Sequence, residues 1–198
     1  MVELEVKDSP RLFISEDIID NLQDKLHHPT LQTIAENVIR DANWLLEERP
    51  ISEGETDSYQ QGTRLIHTHL QCLTSAWALT HDPQYRKAAL KHLGNILNWN
   101  HISCEAQSTT PPEWEFPFCL SYGEHAMAIA IMYDFFRRDI TPDEKQIFLN
   151  VLDRFYMKEA VKCIDKPPWW AHKNWTNWNG VCAGAIGALA LSFYTDHP

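Results

Sequence analysis

The chain has 198 residues, 44% hydrophobic and 22% charged, which is the composition of a folded globular protein and argues against a disordered chain. With 27 acidic against 17 basic residues it carries a formal charge of −10, so broad affinity for nucleic acid is excluded. The five cysteines (72, 104, 119, 163 and 182) are odd in number and lack Cys-x-x-Cys spacing. They give no fully paired disulfide framework and no zinc ribbon, and read as small buried hydrophobes.

About seven helices are predicted, in chain order. Ser15, followed by Glu16 and Asp17, opens the first, which runs to about residue 28. Pro29 and Thr30 start the second, with Ile34, Ala35, Val38, Ala42 and Leu45 on one face. The third spans roughly residues 62–80. Asp82 and Pro83 supply a cap and a first-turn proline for the fourth, which ends near residue 98.

Residues 99–120 read as a long irregular segment. Ser121 and Glu124 fit a capping box opening the fifth helix, which reaches about residue 138. Thr141-Pro142-Asp143-Glu144 opens the sixth. A loop rich in proline and tryptophan, residues 167–176, leads into the seventh, which continues to the end of the chain. No strand pairs are evident, and the expected class is all-α.

The helices alternate in character. The second, fourth and sixth are amphipathic, whereas residues 126–133 (AMAIAIMY) and 181–191 (VCAGAIGALAL) are apolar on every side and call for burial on every side. This alternation predicts two concentric layers of antiparallel helical hairpins, an α/α toroid, with Gly184 and Gly187 allowing close packing of the seventh helix. A closed ring of six hairpins takes about twelve helices of the usual length, so the expectation is an incomplete toroid. Residues 1–198 are read as one helical domain, truncated at its C-terminal end, from a longer protein. The plainer alternative is a complete, smaller bundle. The N-terminus shows no signal-peptide core, and the longest apolar stretch is far below the roughly 20 residues of a membrane span.

Residues 166–195 contain no Asp or Glu, although the chain as a whole is acidic. Within them, KPPWWAHKNWTNWNG (166–180) offers Lys166, His172 and Lys173 as cations, Asn174, Asn177 and Asn179 as amides, and the indoles of Trp169, Trp170, Trp175 and Trp178. Indole faces stack on sugar rings, and amides and cations suit hydroxyls and carboxylates. A helix entrance adds backbone N–H groups for an anion. The competing interpretation is that Asn177 only caps the helix and the tryptophans fill a gap between helices. His67-x-His69 has the look of a metal pair, but residues two apart on a helix diverge, and no metal or other cofactor is expected. Glu113 and Glu115 flank Trp114 and could serve glycoside hydrolysis, though alternate residues of an extended segment face opposite ways. Tyr122, Glu124 and His125 lie at a helix entrance beside that loop, with Glu124 read foremost as a cap.

Several stretches resemble the N-terminal helical region of heparinase II/III-like polysaccharide lyases, a group that includes oligo-alginate lyases. These are SPRLFISEDIIDNL, LTSAWALTHDPQYRKAALKHLGNILNW, EHAMAIAIMYDFFRRDITPDEKQIF and, most specifically, WAHKNWTNWNGVCAGAIGALA (170–190). The resemblance implies an α/α toroid followed by a β-sandwich domain, and β-elimination on uronic-acid-containing polysaccharides. The partner would be an anionic polysaccharide or oligosaccharide, with no nucleic acid and no membrane, in a periplasmic or secreted setting. By motif position Asn177 falls where the family contacts the substrate carboxylate, with Asn179 next. His172, Lys173, Trp169, Trp170, Trp175, Trp178 and Tyr122 would then bind substrate. Many members carry His at this site, where this chain has Asn177-Trp178-Asn179. The family's acid/base Tyr and His are expected beyond residue 198, so the fragment alone is expected to be inactive. An α/α-toroid glycoside hydrolase and a non-catalytic carbohydrate-binding domain are the alternatives.

Overall fold

A computed structural model describes residues 12–53, 55, 59–100, 102, 119–172 and 175–197, and among them the chain is all-helical with no strand. The expected first helix is two short ones, α1 (Glu16–Asp20) and α2 (Leu22–Lys25). The break falls at Asn21, whose side-chain amide donates to the Asp17 carbonyl at 2.6 Å and so competes with the helical ladder. α3 (Pro29–Glu47) follows its proline as expected and buries Ala35, Ala42 and Leu45.

α4 (Tyr59–Thr80) ends at His81, whose φ of 54° is left-handed and whose N–H reaches the Trp77 carbonyl at 2.6 Å, a helix-stopping geometry. Asp82 then caps α5 (Pro83–Asn95) by accepting from the Gln84 N–H at 3.0 Å. α6 (Leu120–Phe136) is buried along most of its length, with Ala126, Ala130, Met132 and Tyr133 fully so. Its start differs from the expected capping box. Cys119 holds the cap position without a side-chain capping bond, Ser121 is buried, and Glu124 is drawn to α4 instead.

The box before α7 (Pro142–Val151) does form. Thr141 Oγ1 accepts from the Glu144 N–H at 3.3 Å, and Glu144 Oε2 accepts from the Thr141 N–H at 2.9 Å. A π-helical turn, Leu152–Tyr156, joins α7 to α8 (Met157–Asp165), where one uninterrupted helix was expected. A second π turn, Asn179–Ala183, precedes α9 (Gly184–Phe193).

The helices form two layers. α6 lies between α4 and α9, and contacts ascend together along the chain. Arg64 pairs with Glu124 at 3.0 Å, Gly123 meets Val181, Ser192 Oγ donates to the Ala130 carbonyl at 3.1 Å, and Tyr133 stacks on Phe193 with centroids 3.8 Å apart. α4, α6 and α9 therefore run parallel. α3, α5 and α7 make the second layer: Tyr85 donates to Asn43 Oδ1 at 2.7 Å, Arg86 binds Glu144 and Gly94 lies by Ile147. Short connections make α4–α5 and α6–α7 antiparallel hairpins.

The glycines correct one expectation. A Cβ on Gly184 or Gly187 would meet nothing within 4 Å, so neither mediates close packing. The close approach is at Gly123, where a Cβ would stand 2.7 Å from Val181 Cγ1 and 3.0 Å from the Val181 carbonyl oxygen. Gly123→Ala is expected to cost about 2–3 kcal/mol, near the top of the overpacking range because backbone is in the way. Gly184→Ala, in helical backbone with open space, is expected to stabilise by up to about 1 kcal/mol. Chemical unfolding of both variants reads the opposite signs. The apolar helix α9 is likewise not enclosed on every side: Ala188 is buried, whereas Ala183, Gly187, Ala190 and Leu191 are exposed.

Candidate functional site

The parallel α4, α6 and α9 place their N-terminal ends together at one end of the molecule. α4 contributes Arg64, His67 and Gln71, at the spacing of one helical face. α6 contributes Tyr122, Gly123 and Glu124, and the turn before α9 brings Val181 alongside Gly123. Arg64 Nε donates to Glu124 Oε2 at 3.0 Å across the α4–α6 groove. Burial holds the His67 imidazole below its usual pKa, against the opposing pull of Glu124 and a hydrogen bond with Gln71. A neutral imidazole with a free lone pair can take up a proton.

The tryptophan-rich loop divides into scaffold and surface. Trp170 is 2% exposed, so its indole has no face for a ligand, which removes it from the expected sugar-binding set. Asn179 also belongs to the scaffold: its Nδ2 donates to the carbonyls of Trp170 (3.2 Å) and Ala171 (3.1 Å), tying the loop to the π turn. Tyr122 is 5% exposed and edge-on to Tyr156, and burial pushes its phenol pKa well up, so it packs rather than lining the surface. On the surface are Asn177, His172, Trp175 (77% exposed) and Trp169, whose ring lies 5.4 Å from that of the half-buried Trp178 at a 48° tilt. Lys173 and Asn174 lie outside the described residues, as do Glu113, Trp114 and Glu115.

The loop's lack of acids is a property of the sequence and not of its surroundings. Glu124 and Glu159 come from α6 and α8 to this end of the fold, each already ion-paired, Glu124 with Arg64 and Glu159 with Lys162 at 2.9 Å. Arg64 and Gln71 are residues that motif reading passed over. The signal that finds them is the polar row 64, 67, 71 on a helix whose other face is apolar.

His67 and His69 diverge as expected. His69 turns into the core, its Nδ1 lying 3.4 Å from Nδ1 of His92 on α5, with the rings edge to face. Burial, with the neighbouring His69 and Lys91 adding to it, lowers the His92 pKa from 6.5 to about 4. The unfolded chain therefore binds a proton that the fold refuses between these values, and stability must fall as pH drops from 6.5 toward 4. The expected loss is about 2–3 kcal/mol. Thermal midpoints measured from pH 7.5 to 4.5 should show this slope, and His92→Gln should flatten it.

No protein-family model matches the chain, and no curated protein matches it.

Proposed function

We propose that the chain is the N-terminal helical part of a polysaccharide lyase, built as an α/α toroid, that cleaves uronic-acid-containing polysaccharides by β-elimination. The observation that carries this reading is the convergence of three parallel helix entrances. Asn177 is exposed in the turn that leads into α9, Trp169 and Trp175 are exposed in the loop before it, and Arg64 and His67 lie along α4 beside the start of α6. The two-layer hairpin packing and the order of the family-like motifs support the same reading.

The chemistry explains the residue types. A base takes the C5 proton, the C5–H electrons become the C4=C5 double bond, the C4–O bond breaks, and the departing oxygen takes a proton. The C5 proton is acidic enough only when the adjacent carboxylate is neutralised by donors that strengthen as charge moves onto it. Asn177 supplies such a donor, and indole faces hold the sugar rings in register. His67, neutral through burial, is a base available at this end of the bundle.

Assaying the protein expressed from its native reading frame against alginate, heparan and other uronate polymers tests the proposal. Ultraviolet absorbance from an unsaturated uronate product is the expected result. New reducing ends without unsaturation would replace the reading with glycoside hydrolysis. Binding without either product would leave a carbohydrate-binding domain.

A further inference from the structure

A cavity of about 330 Å³ lies between residues 12–14, α4 and α6, further along the same α4–α6 groove and separate from the tryptophan loop. Its size is that of a small-molecule site. The lining is two-sided. Gln71, Thr74 and Ser75 share one face of α4 and form a polar wall, while Phe13, Ile131 and Phe135 present carbon surface opposite. The Thr74 side chain is 3% exposed, and its hydroxyl, turned beneath the cavity lining, has no hydrogen-bond partner among the described residues. A buried hydroxyl left unpaired costs about 1–3 kcal/mol, and threonine in a helix has two rotamers through which to redirect it.

Charge narrows the ligand. Asp134 closes one end of the cavity with a carboxylate that accepts from the Leu12 N–H at 3.0 Å, and no Lys, Arg or His lines the cavity among the described residues. An anion there would be repelled by the Asp134 carboxylate. We propose that this cavity binds one neutral pyranose unit, its hydroxyl edge against Gln71, Thr74 and Ser75 and its C–H face against Phe13 and Phe135. The inference does not require lyase activity: it assigns a site for an uncharged sugar, distinct from the Asn177 end where a uronate carboxylate would be held.

The test is an amide-resolved NMR titration of the chain with methyl β-D-glucopyranoside, methyl β-D-mannopyranoside and, as the charged control, methyl β-D-glucuronoside. Saturable shifts at Thr74, Ser75 and Ile131 are expected with at least one neutral glycoside, with a Kd on the order of millimolar, and none there with the glucuronoside. Thr74→Val, which keeps shape and removes the hydroxyl, should weaken binding about five-fold. Ile131→Trp, which fills the cavity, should abolish it, with its fold checked by circular dichroism. If Ile131→Trp fails to fold, Thr74→Val decides. Absence of shifts with both neutral glycosides, equal response to the glucuronoside, or unchanged affinity in Thr74→Val would overturn the assignment. None of these outcomes depends on whether a uronate polymer is cleaved.

Discussion

Arg86→Met is expected to lower stability by about 3 kcal/mol, the lower end of the range for removing one partner of a buried ion pair. That corresponds to a drop of about 6–12 °C in thermal midpoint for a chain of this size. Arg86 leaves α5 almost fully buried and forks onto Glu144 of α7, Nε to Oε1 at 3.1 Å and Nη2 to Oε2 at 2.9 Å. It also reaches Asp139 at 2.6 Å and lies 4.7 Å from the centre of the Phe136 ring. Asp139 is mostly exposed, so that pair contributes little. The loss comes from the fork to Glu144 and from the packing over Phe136.

The same variant should change the acid response. Burial would raise the Glu144 pKa, but Arg86 and Thr141 outweigh it and hold the group below 4.5. A carboxylate depressed in the fold stabilises above its unfolded pKa, and that contribution is lost as pH falls through the folded value. Unfolding free energy measured between pH 6 and pH 3 should therefore fall less steeply in Arg86→Met than in the parent. Equal slopes and an unchanged midpoint would show that the two helix starts are held together by packing alone.

If the protein is the proposed lyase, Asn177→Ala is expected to reduce its kcat by about 10²–10³, the usual effect of removing one preorganised donor to a developing anion. Asn177 is exposed, so its folding stability should stay within about 0.5 kcal/mol of the parent. Asn179→Ala should do the reverse. Losing the two bonds to the Trp170 and Ala171 carbonyls should destabilise by about 1–3 kcal/mol and loosen the tryptophan loop, with the chemical step affected only through it. Measuring kcat and the unfolding midpoint on both variants separates the roles. If Asn177→Ala loses stability and keeps its turnover, the residue is a scaffold element and the carboxylate donor lies elsewhere.

Signals local to the chain settled the class and much of the helix order. Asp82-Pro83 and Thr141-Pro142-Asp143-Glu144 start helices where expected, because a cap is made by residues within one turn of each other. The uniformly apolar run in α6 foretold its burial, since a helix without a polar face must be covered. Ser121 and Glu124 show the limit of that logic. Their spacing suits a capping box, yet Arg64, sixty residues earlier, captures the carboxylate. The π turns at Leu152–Tyr156 and Asn179–Ala183 likewise carry no residue signature from which the helix interruptions could be read.

Tertiary packing also decided which glycine counts and which tryptophans can touch a ligand. Gly184 and Gly187 have the spacing of a close-packing pair, but it is Gly123 whose neighbour, Val181, leaves no room for a Cβ. Trp169 and Trp170 are adjacent in sequence, and the fold buries one and presents the other. Periodicity reports that a side chain has a preferred face. What lies against that face depends on residues far away in the chain, and this is why the polar row of α4 and its partner Glu124 became visible only once the helices were placed side by side.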